Sequence, residues 1–539
     1  MTATAGRRGV RIETIATIEA LRALQNEWLA LWQASAPRHV FTHPGWQLAA
    51  ARAYADRRTP RVLVARDDDA IIGILPLVTD AGRLRFLGAP WADYNDVLLA
   101  ADADADRVIG AFLAEIARRG GALLENLRED AHLARLRDRS EFSGVRLRSR
   151  FRSQCPTVIA PGDELEQLAR KKSLVRHEKK LQKLGGFALR ALDDQATVAS
   201  LLPVFFEQHS RRRAFTGEGI VFADPAARAF VAALFDELPR GSALLHVVEC
   251  AGKPAAMHLG FESDGAFLWY KPTFDVDLWN LGPGEVLMRQ LMLDAKRRGL
   301  REFDFTIGEE DFKYRFANHA REAFEVQVMP RGVRGAIRAC RADLRSAIDR
   351  RPRLKQMLKT RLVPALRRAS ELRRGRLRDG ALRARAMPLW SDAPCERVLL
   401  RAPSGATLDA RVRPVAMHEL ADAALAAPRD WPAERMTAAR KLAGRGQACG
   451  WFGDDRLLHL AVVEDGPPAH LVVLAEATPP KDPTGLMALL CHLAGSRGVP
   501  LACDPRDRVT LEAARTAGFV HEGTLAAPAP AAAIPAEGD

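Results

Sequence analysis

The stretch from Trp269 to Phe316 constrains this 539-residue chain more than any other part of it. It reads WYKPTFDVDLWNLGPGEVLMRQLMLDAKRRGLREFDFTIGEEDFKYRF. An aromatic-rich strand ends in Tyr270-Lys271, and Asp275 follows on a loop. Gly282-Pro283-Gly284 then opens a helix whose apolar positions Val286, Leu287, Leu291, Leu293 and Ala295 suit one buried face. Arg297, Arg298 and Gly299 supply the cation-then-glycine ending of a helix C-terminus. A second strand, Glu302 to Thr306, leads into the acidic loop Gly308-Glu309-Glu310 and then Phe312-Lys313. Strand, glycine turn, helix start and strand make a phosphate-holding arrangement. Free N–H groups at a helix start carry partial positive charge, and glycine lets an anion approach the main chain.

Thirteen of these residues fall into a recognisable string: Tyr270, Lys271, Phe274, Asp275, Pro283, Gly284, Asp304, Phe305, Gly308, Glu309, Glu310, Phe312 and Lys313. The string resembles the signature of the acyltransferases of the cellulose and exopolysaccharide biosynthesis type. That group is a branch of the GNAT superfamily related to the FemAB peptidoglycan aminoacyl transferases. Phe274, Glu309 and Phe312 are conservative departures from its pattern. The resemblance is dense over 170–330 and thin elsewhere. It implies an α/β (α+β) fold class, with tandem GNAT-like folds, mixed central sheets, a basic helical linker and a C-terminal GNAT-like domain. The implied boundaries are 1–155 for the first half, 156–330 for the catalytic half, 331–388 for the linker, 389–526 for a degenerate GNAT-like domain and 527–539 for a disordered tail. A chain ending at Pro330 is accordingly expected to keep its activity.

The resemblance also implies a reaction: an acyl group, acetyl first among them, moves from acetyl-CoA or another acyl-CoA to an amine or hydroxyl of a sugar, polysaccharide or envelope precursor. Aminoacyl transfer from charged tRNA, and a non-catalytic role in assembling a polysaccharide machine, are the alternatives. No Gly-x-Ser-x-Gly elbow occurs and the signature holds no cysteine, so direct transfer in a ternary complex is the expected mechanism. Asp275, Glu309 and Glu310 are the candidate general bases, directly or through water. Tyr270 is the candidate donor to the leaving thiolate. Gly282, Pro283 and Gly284, with Lys271 and Lys313, are the candidate donor-binding residues. Each has a bland reading beside it. Asp275 equally suits a helix cap, Tyr270 a packing role, Lys313 a buried ion pair with Asp304, and His258 a satisfied core position. One departure bears on the donor: ordinary GNAT loops begin with Arg or Gln, whereas the corresponding position here is Trp279.

A strand-turn-strand pattern recurs three times, at Pro60 to Val78, Ala243 to Glu262 and Arg456 to Ala477. Helices are expected at Ile15 to Trp32, Val108 to Arg119, Val198 to Ser210 and Ala226 to Leu238. Phe41-x-x-Pro44-x-Trp46 resembles the family's early entry motif, and Trp91 to Asp96 reads as a polar-aromatic loop. RKKSLVRHEKKLQK, Arg170 to Lys183, is a basic helix, suited either to solvent or to phosphates. The final unit retains one glycine, Gly485, where a pyrophosphate loop would have two.

The formal net charge of +13 is concentrated in one segment. Arg331 to Arg385 holds 19 Lys and Arg against four acids, which leaves the remainder about neutral. That segment has a leucine stripe, so it suits either a linker helix or peripheral contact with an anionic membrane. It has no aromatic residue for base stacking, and nucleic acid is not an expected partner. The seven cysteines show no metal or redox spacing, and no metal site is expected. No run approaches the length of a membrane span, so the expected location is the cytoplasm, with the inner membrane face as an option.

Overall fold

The computed structural model describes residues 10–216, 218–330, 397–401, 412–426, 446–453, 456–464, 470–476, 488–490, 501–503 and 513–525. The basic segment 331–388, Gly485 and the 527–539 tail lie outside the described residues. The chain divides into two compact units. One comprises Met1–Pro203, Asp224–Pro272 and Pro283–Asp379, and the other Val204–Ala223, Thr273–Gly282 and Gly380–Asp539.

The first unit opens with β1 (Arg11–Ile15), α1 (Ile18–Ala34) and α2 (Pro44–Ala53). Thr17 caps α1 by accepting from Ala20 N, and His43 caps α2 by accepting from Gly45 N. Both supply an acceptor that the first helical turn lacks. Strands β2 (Arg58–Pro60), β3 (Val62–Asp67), β4 (Ala70–Leu75), β5 (Leu77–Asp80), β6 (Arg83–Phe86) and β7 (Leu98–Leu99) follow. The first expected hairpin is β3 against β4, antiparallel. Then come α3 (Ala105–Arg118), β8 (Ala122–Arg128), β9 (Glu141–Phe142) and β10 (Val145–Ile159). The 155/156 boundary expected from sequence falls inside β10, a single 15-residue strand.

After β10 the chain forms α4 (Glu164–Ala169), the basic α5 (Lys172–Gln182), β11 (Phe187–Leu192), α6 (Gln195–Thr216) and α7 (Pro225–Glu237). The second hairpin, β12 (Ala243–Cys250) and β13 (Lys253–Ser263), turns at Ala251-Gly252. Their φ angles of 50° and 76° give the left-handed pair that a two-residue hairpin needs. β14 (Ala266–Phe274), α8 (Pro283–Arg297), β15 (Glu302–Asp304), α9 (Asp311–Tyr314) and β16 (His319–Met329) complete the region. Gly299 ends α8 in the left-handed region at φ 70°, and Leu300 N closes on Ala295 O at 3.0 Å. The buried face of α8 is Val286, Leu287, Leu291 and Ala295 as expected, with Met288 and Met292 added and Leu293 only half-buried.

Two sheets organise this unit. One runs β1-β3-β4-β7, and the other β11-β12-β13-β14-β15-β10-β16-β8-β6-β5-β2, with β9 off its path on β10. β16, the last strand in sequence, inserts between β10 and β8. Its Phe324, Val326 and Val328 pack in one core cluster with Leu63, Phe86, Phe112 and Leu124. The first half therefore completes its core with residues from the end of the second.

In the second unit a 7-stranded sheet runs β18-β19-β20-β21-β22-β17-β23. Its strands are β17 (Arg397–Arg401), β18 (Val412–Pro414), β19 (Gly446–Gly453), β20 (Arg456–Glu464), β21 (His470–Glu476), β22 (Leu501–Cys503) and β23 (Val520–Leu525), with helix α10 (Met417–Ala426). β20 and β21 are the third expected hairpin. Gly518-Phe519 precedes the final strand, as in the expected ending.

Candidate functional site

The site begins where two parallel strands part. β14 and β15 pair over only three positions, from Ala266–Glu302 to Leu268–Asp304. Beyond Asp304 the chain stays on β10, with Phe305 N donating to Pro156 O at 3.0 Å and Gly308 N to Gln154 O at 3.3 Å. β14 meanwhile continues to Phe274. Thr306 stands at the fork with φ 57°, a conformation that a β-branched residue adopts only under constraint. Its N donates to Asp304 Oδ1 at 2.7 Å and its hydroxyl to Trp269 O at 3.1 Å. This strain explains why the second strand stops at Asp304, two residues short of the expected Thr306.

The polar-aromatic loop 91–96 packs at this fork. Tyr94, fully buried, donates its hydroxyl to Asp304 Oδ1 at 2.7 Å. Arg128 donates to Asp304 Oδ2 at 3.2 Å, lies over the Tyr94 ring at 4.6 Å and also pairs with Asp130 at 2.7 Å. Burial pushes the Asp304 carboxyl up, and Arg128 opposes that change. Asp304 is thus a satisfied structural anchor.

Asp93 differs. Its side chain is buried in contact with Thr306, and burial raises its pKa above the usual carboxylate range. Lys271 opposes that rise most, followed by the Thr306 hydrogen bond and Lys313, while the Glu310 charge adds to it. Two lysine charges thus act on a buried carboxylate next to the residue at the strand fork.

The residues expected from sequence fall into three groups. Lys271, Lys313 and Glu310 surround Asp93 electrostatically. Lys271 Nζ sits 3.8 Å from the centroid of the Tyr270 ring. Lys313 is buried, donates to Ile307 O at 3.0 Å and pairs with Glu310 Oε2 at 2.9 Å. The expected Lys313–Asp304 pair is therefore corrected: Asp304 already takes Arg128, Tyr94 and the Thr306 amide, and Glu310 is the lysine's partner.

Tyr270 and Glu309 are occupied. The Tyr270 hydroxyl donates to Trp91 O at 2.6 Å within a cluster of Phe41, Trp46 and Phe261, and burial drives its pKa well above 10. That engagement speaks against protonation of a leaving thiolate. Its backbone N donates to His258 Nε2 at 3.0 Å, and burial keeps His258 far below the usual histidine range, so this imidazole stays neutral. Glu309 accepts from Gln154 N at 3.0 Å while remaining exposed.

Asp275 belongs to the second unit. Its Oδ1 accepts from Asp277 N at 3.0 Å and caps the 3-10 turn Val276–Leu281. This is the capping role foreseen as its bland reading. Gly282 ends that turn in the left-handed region at φ 71°, and Pro283 begins α8. Cys155, on β10, is buried, and its thiol is pushed up to about 12 by burial and by Asp304, so it offers no thiolate. Sequence reasoning passed over Asp93. Its available signal was a carboxylate among aromatic residues in a loop too polar for a core.

Residues 169–314 match the family model described as an acetyltransferase (GNAT) domain. That match supports acyl transfer as the chemistry of this segment. A search of curated proteins returns no match. Among solved structures, FemX is similar at 11% identity over 58% of this chain and 96% of its own, with TM-score 0.40. The C-terminal domain of a lysylphosphatidylglycerol synthetase from Agrobacterium fabrum is similar at 12% identity over 61% and 96%, with TM-score 0.40. A tandem GNAT protein from the clavulanic acid biosynthesis pathway is similar at 12% identity over 60% and 100%, with TM-score 0.37. None of these similarities bears on the substrate.

Proposed function

We propose that the protein transfers an acyl group, acetyl first among candidates, from a coenzyme A thioester directly to an amine or hydroxyl of a sugar or envelope precursor. The observation that carries this reading is the buried carboxylate of Asp93, in contact with Thr306 and under the influence of the Lys271 charge, where β14 and β15 part inside the GNAT-matching segment. The acceptor's lone pair attacks the thioester carbonyl, and a carbon–nitrogen or carbon–oxygen bond forms. Asp93 takes the acceptor's proton, directly or through one water. The tetrahedral intermediate then collapses with cleavage of the carbon–sulfur bond, and coenzyme A leaves as a thiolate that takes a proton from solvent. Lys271 and Lys313 lower the Asp93 pKa against the burial that raises it, which favours the ionised form a base needs. Backbone N–H groups at the start of α8 are the reading's phosphate contacts.

For the acceptor, α9 offers exposed Phe312 and Tyr314 beside the exposed carboxylates Glu309 and Glu310. Aromatic faces with flanking carboxylates suit a sugar ring with hydroxyl or amino substituents. A second reading, aminoacyl transfer from charged tRNA, draws on α5. Lys172, Arg176, Lys179, Lys180 and Lys183 lie on or just past that basic helix, while Leu174 and Leu181 are buried. Thiol release from acetyl-CoA with a panel of amino sugars, sugar alcohols and polysaccharide fragments tests the proposal. Release should depend on acceptor and fall at least about 100-fold in Asp93→Asn. Absent thiol release, together with transfer from aminoacyl-tRNA that ribonuclease abolishes, would replace the first reading with the second. Among the described residues no helix is long and apolar enough to cross a membrane. Peripheral contact through the basic segment is part of the proposal.

A further inference from the structure

The second unit gathers two pieces of sequence that precede its sheet by far: Val204–Ala223 and the loop Thr273–Gly282. Helix α10 touches both. His418 N donates to Asp277 Oδ1 at 2.9 Å, and His418 Nδ1 lies 2.6 Å from Asp277 Oδ2. One turn further along, Asp422 takes a two-pronged contact from Arg211, Nε at 2.7 Å and a terminal nitrogen at 2.8 Å. Between these polar contacts Phe215, Val276 and Ala421 form a buried cluster, with Phe274, Trp279 and Met417 packed against it. Met417, His418, Ala421 and Asp422 lie at the spacings that share a helix face. The whole of that face is given to the loop and to α6.

This contact accounts for the departure noted in the sequence. Trp279 occupies the position where ordinary GNAT loops carry Arg or Gln, and here its ring lies 5.9 Å from that of Phe215. Gly282, the last residue of the loop, is bonded directly to Pro283, the first residue of α8. We infer that α10 is a positioning element. It holds loop 273–282, and through it the glycine turn at the start of α8, in the form that receives the donor's phosphates. His418, Asp422 and Arg211 are positioning residues in this scheme, and Ala421 is fully buried between them. The C-terminal unit is then required for donor binding, against the expectation that a chain ending at Pro330 suffices. The link to the donor rests on the proposed function; the grip on the loop does not.

Full-length protein separates the two. Amide hydrogen exchange over 276–282 and acetyl-CoA binding by calorimetry are measured for wild type, for Arg211→Ala with His418→Ala, and for Ala421→Arg. Loop exchange should rise at least about tenfold in both variants. The acetyl-CoA Kd and the KM for acetyl-CoA should rise by about fivefold or more, with kcat at saturating donor unchanged, the pattern of lost ground-state binding. The Arg211→Ala, His418→Ala protein guards against a mere folding failure of Ala421→Arg, because its substitutions lie at half-exposed pairs. Unchanged loop exchange in both variants overturns the inference. Faster loop exchange with unchanged acetyl-CoA affinity overturns its link to the donor. If wild type binds no acetyl-CoA, the proposed function fails, and loop exchange still decides whether α10 holds the loop.

Discussion

In the proposed mechanism Asp93 is the general base and Lys271 the charge that most lowers its pKa, so their separate removal is the sharpest perturbation. Burial raises the Asp93 pKa, and Lys271 is the strongest influence bringing it down, ahead of Thr306 and Lys313. Lys271→Met removes that cation and leaves burial in place, so the Asp93 pKa must rise further. A general base works only when deprotonated. The acidic limb of kcat/KM against pH should therefore move upward in Lys271→Met, with the plateau at high pH partly retained. At a fixed pH on the acid side of the limb, every pH unit that the limb moves costs about tenfold in rate, equivalent to about 1.4 kcal/mol. Asp93→Asn should lose about 100- to 10,000-fold at every pH, because the proton acceptor itself is gone. The assay is acceptor-dependent thiol release across the neutral range and to either side of it, with circular dichroism confirming that each variant is folded. An acidic limb unmoved in Lys271→Met would show that Asp93 is not the titrating group. So would an Asp93→Asn variant that keeps a tenth of wild-type turnover.

Three further outcomes follow from individual residues. Gly308 has φ 131°, and a Cβ there would lie 2.4 Å from Glu310 Oε2 and 2.7 Å from Lys313 Nζ, so Gly308→Ala should part that ion pair and lower kcat/KM by at least about tenfold. Steady-state kinetics on Gly308→Ala beside Glu310→Gln checks it, and wild-type values in the first would refute it. His246 is fully buried with its pKa lowered to about 3, chiefly by burial. The unfolded chain therefore binds the extra proton, and stability is lost as pH falls from the ordinary 6.5 toward 3. By about pH 5 the loss is about 2 kcal/mol, so urea unfolding should show a smaller difference between about pH 7.5 and about pH 5 in His246→Asn than in wild type by that amount. Finally, the 19 cations of 331–385 with their leucine stripe should bind anionic vesicles at low salt, release them as salt rises, and fail to bind once Leu354, Leu358 and Leu362 are Ser. Equal recovery with neutral and anionic vesicles in co-sedimentation would leave the segment a plain linker.

Much of the local architecture was legible in the amino-acid order. The three hairpins, α8 with its Gly299 stop, and the glycine-proline turn before it depend on periodicity and on residues that only certain backbone angles admit. Such preferences act between neighbours in the chain, so one sequence suffices to read them. The capping role of Asp275 belongs to the same class, since donor and acceptor are two residues apart. What tertiary structure alone decided involves partners that meet only after folding. Asp93 acquires its burial and its lysine from a strand about 180 residues away, and nothing local to WADYND foretells that. Lys313 pairs with Glu310 because Arg128, from the first half, already neutralises Asp304. β16 completes a core begun more than 200 residues earlier, so the 155/156 boundary marks no break in the fold. Loop 273–282 sits with a helix near residue 420 for the same reason. Desolvation and ion pairing depend on what surrounds a group in space. Sequence supplies those groups, and packing determines which of them face one another.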